Sequence, residues 1–570
     1  MAEPRAANGG GEASAADQRA VRHWLAELAH GSRLWIKATA AAGTLAGVAT
    51  IVQMILLARI IHLVVIDKVA LPELTPLFVS LILAIVARAV GQGFQTRFAS
   101  RCSEQVRRDA RRQIHNHWQA TGPVELGQSS AGTLTREWLD HVEALHGYFA
   151  RFLPQIILAG IIPLLILAVV FWLDWLAGIF LVLSAPLIPV FMALVGMGAE
   201  KLNQQHFETI SRLSGQFLDK VRGLTTLQLF GQTSGAIELI RERSERYREI
   251  TMKTLRVAFL SSAVLEFFAS VAIAVIAIYI GFGLLGYITY GPSDELTLFS
   301  GLLILLLAPE FFQPLRTLSQ HYHDRASALG AGAEILERLN RPATRVSPAE
   351  VTEITAANNV IEFDSVTKSF QAGHQAVKNL SLVIRQGEVI ALTGPSGGGK
   401  STLLHLLAGF MAPDTGRIQV FGQLPGSFRF GWLGQKGFLV HGTWAANLRL
   451  TTPDASDIAI ETALKNVGLG YLLENRRDGI HSAVSEDGQG LSGGQARRLS
   501  LARIFLADYH LILLDEPTAG LDTDSEIFVL EALHKLALAG KTLIFSTHHQ
   551  ALLTLANRVL LVSGGEVRHG

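Results

Sequence analysis

The sequence predicts a chain in two parts: an all-α membrane domain of six apolar helices, then an α/β domain built around a phosphate-binding loop. Three observations predict it. Apolar runs long enough to cross a bilayer recur six times before residue 320. A strand pattern, a glycine-rich loop and a helical run follow one another over 388–407. Between these parts the composition changes, across a proline-containing stretch at 340–357.

The chain has 570 residues, enough for several domains. Hydrophobic residues make up 49% and charged residues 17%. The charged share is well below the roughly 25% of soluble proteins, which points to a membrane. A formal net charge of +1 offers no basic face, so nucleic acid is excluded as a favoured partner. The single cysteine, Cys102, has no partner for an internal disulfide and no zinc-ligand pattern around it. It reads as an incidental thiol on a helix.

Residues 1–16 are polar and Ala/Gly-rich, lack the apolar core of a signal peptide, and read as disordered. Asp17 is suited to cap a helix that stops at Gly31. Between them Val21, Trp24, Leu25 and Leu28 fall at i, i+3, i+4 and i+7, one apolar stripe on a polar helix. Its position just before the first span predicts that 17–33 lies in the membrane interface.

The membrane domain is placed at 34–339, with spans at about 34–66, 76–98, 153–173, 176–198, 258–288 and 296–316. An even number puts both chain ends on one side. The stretch 99–152 carries Arg101, Arg107, Arg108, Arg111 and Arg112, and the stretch 199–257 is equally basic. The opposite connections are short and poor in Lys and Arg. This asymmetry puts the basic stretches, and the chain ends, in the cytosol. Each stretch exceeds 50 residues yet has helical composition, and structureless loops of that length are uncommon. Spans two to five are therefore expected to continue as helices, turning at tips near 122–132 and 215–231. Those tips are where the membrane part would meet the second domain. A linker at 340–357 leads to the α/β domain at 358–570.

In that domain Glu388–Thr393 has a strand pattern, and Gly394-Pro-Ser-Gly-Gly-Gly-Lys-Ser401 follows at once. Gly394, Gly397 and Gly399 let backbone N–H groups turn onto phosphate oxygens, helped by the positive end of the next helix. Lys400 places a charge on the β- and γ-phosphates, Ser401 offers a hydroxyl to Mg²⁺, and Thr402 opens the helical run. Leu511-Ile-Leu-Leu-Asp515-Glu516 is a buried strand ending in two acids. Asp515 suits the metal side and Glu516 suits polarising an attacking water.

Between these motifs lies Leu491-Ser492-Gly493-Gly494-Gln495. In that position it resembles the signature of ATP-binding-cassette proteins. The other motifs of that family fall in order. The resemblance implies that Phe370 stacks on adenine, that Gln435 contacts Mg²⁺ and the hydrolysis site, that Asp522 belongs to the D-loop, and that His548 is the switch histidine. It also implies ATP and Mg²⁺ as cofactors, and a second cassette whose γ-phosphate would meet Ser492, Gly493, Gly494 and Gln495 of this chain.

Six spans ahead of one cassette resemble the half-transporter arrangement of type IV exporters. The stretches Ala185–Ala199, Ala258–Phe268 and Leu307–Arg316 are similar to the CydD family. That resemblance implies a heterodimer with a CydC-type half in the bacterial inner membrane. It further implies transport of cysteine, glutathione or haem and support of cytochrome bd assembly. A homodimeric lipid or drug exporter, and a membrane-anchored regulatory ATPase, are the alternatives.

Ionisable groups within spans cost about 2.5–3.5 kcal/mol on insertion scales and usually face an interior or a cavity. Arg59, His62, Arg88, Glu266 and Glu310 are accordingly candidates for small-molecule cargo. The arginines suit carboxylates, and His62 suits haem iron. Structural readings compete: Arg59 and His62 near a span end, and Arg88 paired with Glu266 or Glu310. Pro186, Pro189, Pro309 and Pro314 favour kinks.

Overall fold

The computed structural model describes residues 15–186, 217, 220–221, 223–288, 290–342, 358–370, 375–435, 437–484 and 491–569. The start at 1–14, the far part of the fourth span with Pro189, much of the second tip and linker residues 343–357 lie outside the described residues. The chain divides into two compact units. One holds residues up to His115 together with Ser130–Arg341; the other holds Asn116–Ser129 with Pro342 onward.

Among the described residues the first unit is built of helices and their connections. Its helices are α1 (Ala15–Gly31), α2 (Arg33–Val65), α3 (Thr75–Thr121, which passes into the second unit at its end), α4 (Pro123–Leu126, in the second unit), α5 (Ala131–Arg136) and α6 (Val142–Gly147). They continue as α7 (Leu153–Leu173), α8 (Trp175–Ser184), α9 (Leu224–Leu229), α10 (Thr233–Leu284), α11 (Leu298–Gln320) and α12 (Tyr322–Leu339). Five helical segments among the described residues are long and apolar enough to cross a bilayer. The protein is a multi-pass membrane protein.

Helix α3 has 47 residues and α10 has 52. At 1.5 Å per residue they run for about 70 and 78 Å, more than twice the roughly 30 Å hydrocarbon core. Spans two and five therefore do continue as helices beyond the membrane. The approach to α7 is helical too, but widens into π-helical turns at Glu137–His141 and Tyr148–Phe152. Pro309 and Pro314 both lie inside α11. Gln155 of α7 donates to the Pro314 carbonyl at 2.9 Å, tying the two spans together there.

The structure corrects the placement of α1. Its stripe of Val21, Trp24, Leu25 and Leu28 is buried against protein, not presented to an interface. Trp24 Nε1 donates to Gln113 Oε1 at 2.9 Å. A Cβ on Gly332 of α12 would come within 3.0 Å of Val21. An apolar stripe is satisfied equally by lipid or by a smooth helix face, and small residues at Ala328, Ala331 and Gly332 supply that face.

A buried ion pair closes the same region. Arg338 of α12 reaches Glu137 with Nε at 3.2 Å from both carboxylate oxygens and Nη2 at 2.8 Å. The side chains are 6% and 9% exposed. The pair straddles the first π-helical turn, where the widened backbone presents Glu137 inward.

The second unit is a three-stranded antiparallel sheet beside a six-stranded, mainly parallel one. The first sheet has the order β2 (Gln375–Arg385), β1 (Val360–Ser369), β4 (Thr415–Val420). The second uses β3 (Val389–Thr393), β5 (Gly431–Leu433), β8 (Leu511–Asp515), β9 (Thr542–Ser546), β10 (Arg558–Ser563) and β11 (Glu566–His569). Its order is β11-β10-β3-β9-β8-β5, with β11 the antiparallel edge. The short β6 (Gly442–Thr443) and β7 (Ala483–Val484) form a separate pair. Strands β3, β8 and β9 are buried almost throughout, as expected of parallel strands covered on both faces. Val124 of the tip helix α4 packs against the core that contains β3 and β8 residues.

Removing one partner of a buried pair strands a charge, at a cost of about 3–5 kcal/mol. Glu137→Ala is therefore expected to lower the thermal unfolding temperature sharply. Replacing both residues by leucine should recover most of it. Thermal unfolding of the detergent-solubilised chain measures both.

Candidate nucleotide-binding site

The site begins where β3 ends. Gly394 has φ +132°, and a Cβ there would come within 2.0 Å of the Val562 carbonyl oxygen. Gly399 has φ +111°, and its Cβ would meet the Ala376 carbonyl oxygen at 2.3 Å. Backbone sits on both sides, so only glycine fits these two positions. The loop ends at the helix Lys400–Leu407. Lys400 is buried, with Nζ at 2.8 Å from the Gly394 carbonyl, 3.1 Å from the Pro395 carbonyl and 3.1 Å from His548 Nε2. Ser401 is exposed at the first turn and Thr402 half-buried beside it.

Strand β8 delivers Asp515 and Glu516 next to this loop. Asp515 lies opposite Ser546 in the β8–β9 register. The Ser546 hydroxyl donates to Asp515 Oδ1 at 2.6 Å and accepts from the Glu516 N–H at 2.8 Å. Glu516 has φ +48°, an uncommon conformation for a residue with a Cβ. Arg497 holds it there, donating to the carbonyls of Asp515 (3.1 Å), Ala519 (3.2 Å) and Glu516 itself. Burial pushes the Arg497 guanidinium below its ordinary value, against the pull of Glu516 and Asp515. The Glu516 carboxylate then faces Gln435 Nε2 at 3.4 Å and His548 Nε2 at 3.5 Å. Gln435, Glu516, His548 and Lys400 thus converge on one point.

The remaining sequence-predicted residues form a second cluster. Ser492 caps the helix Gly493–Ala502 in a reciprocal box with Gln495, with bonds of 3.2 and 3.1 Å. Gly494 packs so closely that a Cβ would lie 2.6 Å from Ser525 Oγ. Asp522 caps the next helix, accepting from the Ser525 N–H at 2.7 Å, and this backbone bond holds its carboxyl below the ordinary range. Gly493 faces open space. Phe370 is exposed just after β1. Arg497 joins the clusters, since it sits on the signature helix and grips the backbone of Glu516.

Sequence reasoning missed Ser546 and Arg497. Ser546 stands two residues before His548, and its role shows only once β9 is seen beside β8. Arg497 stands two residues after the signature, but nothing in the sequence indicates which carbonyls it reaches.

The membrane candidates separate. Arg88 and Glu310 line one chamber of about 270 Å³. Arg88 pairs with neither Glu266 nor Glu310; its guanidinium reaches Gln53 Oε1 at 3.4 Å. Glu266 instead pairs with Arg316 at 3.2 Å, an arginine close to it across α10 and α11. His62 lies in the last turn of α2, 3.9 Å from Asp67 and edge-on to Phe299. Arg59 is exposed one turn before it. Neither Arg59, His62 nor Glu266 lines the chamber.

Residues 38–307 match the ABC transporter transmembrane region, and residues 377–519 match the ABC transporter domain. The fold is similar to a bacterial Atm1-family ABC exporter with ATP bound, at a TM-score of 0.75 and 20% identity over 96% of this chain and 95% of that one. The chain is an ATP-binding-cassette transporter subunit that carries its membrane helices and its ATPase on one polypeptide. It is 36% identical to the glutathione/L-cysteine transport system ATP-binding/permease protein CydD of Haemophilus influenzae, over 96% of this chain and 94% of that protein. It is 37% identical to the CydD protein of Escherichia coli K12, over 92% and 91%. The chain belongs to the CydD family.

Loss of the Ser546 hydroxyl frees both Asp515 and Glu516 from their shared anchor. Ser546→Ala is expected to lower ATP turnover about 10- to 100-fold, with ATP binding largely retained. Steady-state hydrolysis and nucleotide binding by the purified transporter check this.

Proposed function

We propose that this chain pairs with a CydC-type half to form a heterodimeric exporter of cysteine or glutathione in the bacterial inner membrane. Both chain ends and the cassette face the cytosol. Haem is the alternative cargo, and support of cytochrome bd assembly the physiological role. The relatives' names support the cargo class. A CydC protein of Bacillus subtilis is also 31% identical over 87% of this chain, as expected of two halves with a common design. The observation that carries the pairing is the division of the site. The phosphate loop and acids form one cluster, while Ser492 and Gln495 bond to each other at the N-terminus of the helix Gly493–Ala502. That N-terminus is a ready anion site for the γ-phosphate of a nucleotide on the opposite cassette.

In this reading the loop amides at 394–399 and Lys400 bind the β- and γ-phosphates, and Phe370 stacks on adenine. Glu516 orients the attacking water and accepts its proton, while His548 and Gln435 hold the Glu516 carboxylate in line. The oxygens present suit a hard divalent cation. Ser546 occupies one oxygen of Asp515 and leaves the other open, with the Ser401 hydroxyl and the Gln435 carbonyl as partners. Mg²⁺, when bound there, neutralises charge on the phosphate oxygens. Asp522 belongs to the cassette–cassette contact. Closure of the cassettes then moves the tips at 122–132 and 215–231 and, through the long helices, alternates access to the spans.

The chain co-expressed with its neighbouring half-transporter tests this. Glu516→Gln is expected to bind ATP normally yet hydrolyse it at least 100-fold more slowly, trapped with cassettes closed. Unchanged turnover would remove the role given to Glu516. Hydrolysis by the unaltered pair should rise with cysteine or glutathione. A rise with haem alone would replace the thiol cargo.

A further inference from the structure

Within the spans, α2, α3, α7 and α11 line the half-open chamber of about 270 Å³. Its polar wall is Arg88, Gln92, Gln95, Glu310, Gln313 and Thr317. Helix α7 contributes the aliphatic Leu158, Ile162 and Ile166 together with Gln155. Gly43 and Gly47 let α2 approach α7: a Cβ on Gly43 would lie 2.7 Å from Leu158, and one on Gly47 would lie 3.0 Å from Ile162. The α3 residues of the lining lie in the apolar first half of that helix, and the α11 residues lie late in α11.

Two opposite charges face this chamber, yet they do not neutralise one another. Arg88 and Glu310 form no ion pair, and the only hydrogen bond that Arg88 makes among the described residues is the 3.4 Å contact with Gln53. Glu310 accepts none among the described residues. Placing a charge in a span is costly, and a structural pair would bring the two together. Held apart in a polar cavity, they complement a molecule that carries both signs.

We propose that this chamber binds the zwitterionic head of a small amino acid or peptide. Arg88, with neighbouring amides, takes the α-carboxylate as a charge-assisted hydrogen-bond donor. Glu310 takes the α-ammonium. The aliphatic residues of α7 take an uncharged side chain. The proposal rests on the small-thiol reading above and narrows it. Haem carries two carboxylates on a broad ring and gains from a histidine; the chamber offers one cation, one opposing carboxylate and no histidine.

The test uses the complete transporter with its partner half in lipid nanodiscs. Three probes separate the charges: cysteine, cysteamine (no carboxylate) and 3-mercaptopropionate (no amine). Equilibrium dialysis measures each. Arg88→Gln should weaken cysteine and 3-mercaptopropionate about 10- to 100-fold and leave cysteamine nearly unchanged. Glu310→Gln should weaken cysteine and cysteamine and spare 3-mercaptopropionate. Arg88→Lys should recover part of the loss. This crossed pattern cannot come from misfolding, which would weaken all three together. A uniform loss, no loss, or binding of haem that depends on Arg88 would overturn the site. Uptake of cysteine into inside-out vesicles separates the two readings. Uptake unaffected by either variant overturns the site and keeps the exporter. Crossed binding without uptake keeps the site and overturns thiol export, and neither binding nor uptake overturns both.

Discussion

A bilayer core offers no hydrogen-bond partner to a backbone, and the rest of this structure follows from that constraint. Each crossing is a helix because only a helix satisfies its own amides. Having formed, the helix has no reason to stop at the membrane surface. Helices α3 and α10 run on for 47 and 52 residues in all. They run on as stiff extensions of the spans. The same constraint makes every polar side chain within a span conspicuous. Most are settled locally: Asp174 caps α8 and accepts from the Tyr279 hydroxyl at 2.9 Å, and Glu266 pairs with Arg316. Arg88 and Glu310 are the two charged residues that line a shared chamber instead.

The cassette meets a different constraint. Gripping phosphate with backbone demands a loop that comes close without side chains, and placing a carboxylate beside it demands a backbone that few residues adopt. Glycine answers the first demand. The second is met by force: Ser546 and Arg497 hold Glu516 at a positive φ that it would leave if free. Arg497 belongs to the signature helix, whose N-terminus serves the opposite nucleotide in the proposed dimer. Movement of that helix is therefore felt at the acid of this chain's own site. In that proposed dimer one buried guanidinium would link the two ATP sites.

Around the helical extensions, polar and apolar contacts serve to fix geometry. The Arg338–Glu137 pair and the α1 stripe both dock on α12, so the segment leaving the last span is held from two sides. The carboxylate of Asp324 fits against Gly147, where a Cβ would come within 2.3 Å, and accepts from Arg151 at 2.8 Å. Only a glycine lets α6 and α12 approach so closely.

The sequence by itself determined the five spans seen among the described residues, the two long extensions, the phosphate loop and the order of the cassette motifs. These depend on local chemistry: runs of apolar side chains, glycines at fixed spacing, and acids at a strand end. Such patterns are written in neighbouring residues and can be read there. Only the tertiary structure decided what depends on residues far apart in the chain. It put α1 on α12 rather than in an interface, because an apolar stripe does not name its partner. It brought Ser546 to Asp515 through the pairing of β8 and β9. It gave Glu266 to Arg316 and left Arg88 and Glu310 facing one chamber, because the pairing of charges is set by how helices rotate against one another, which no single helix records.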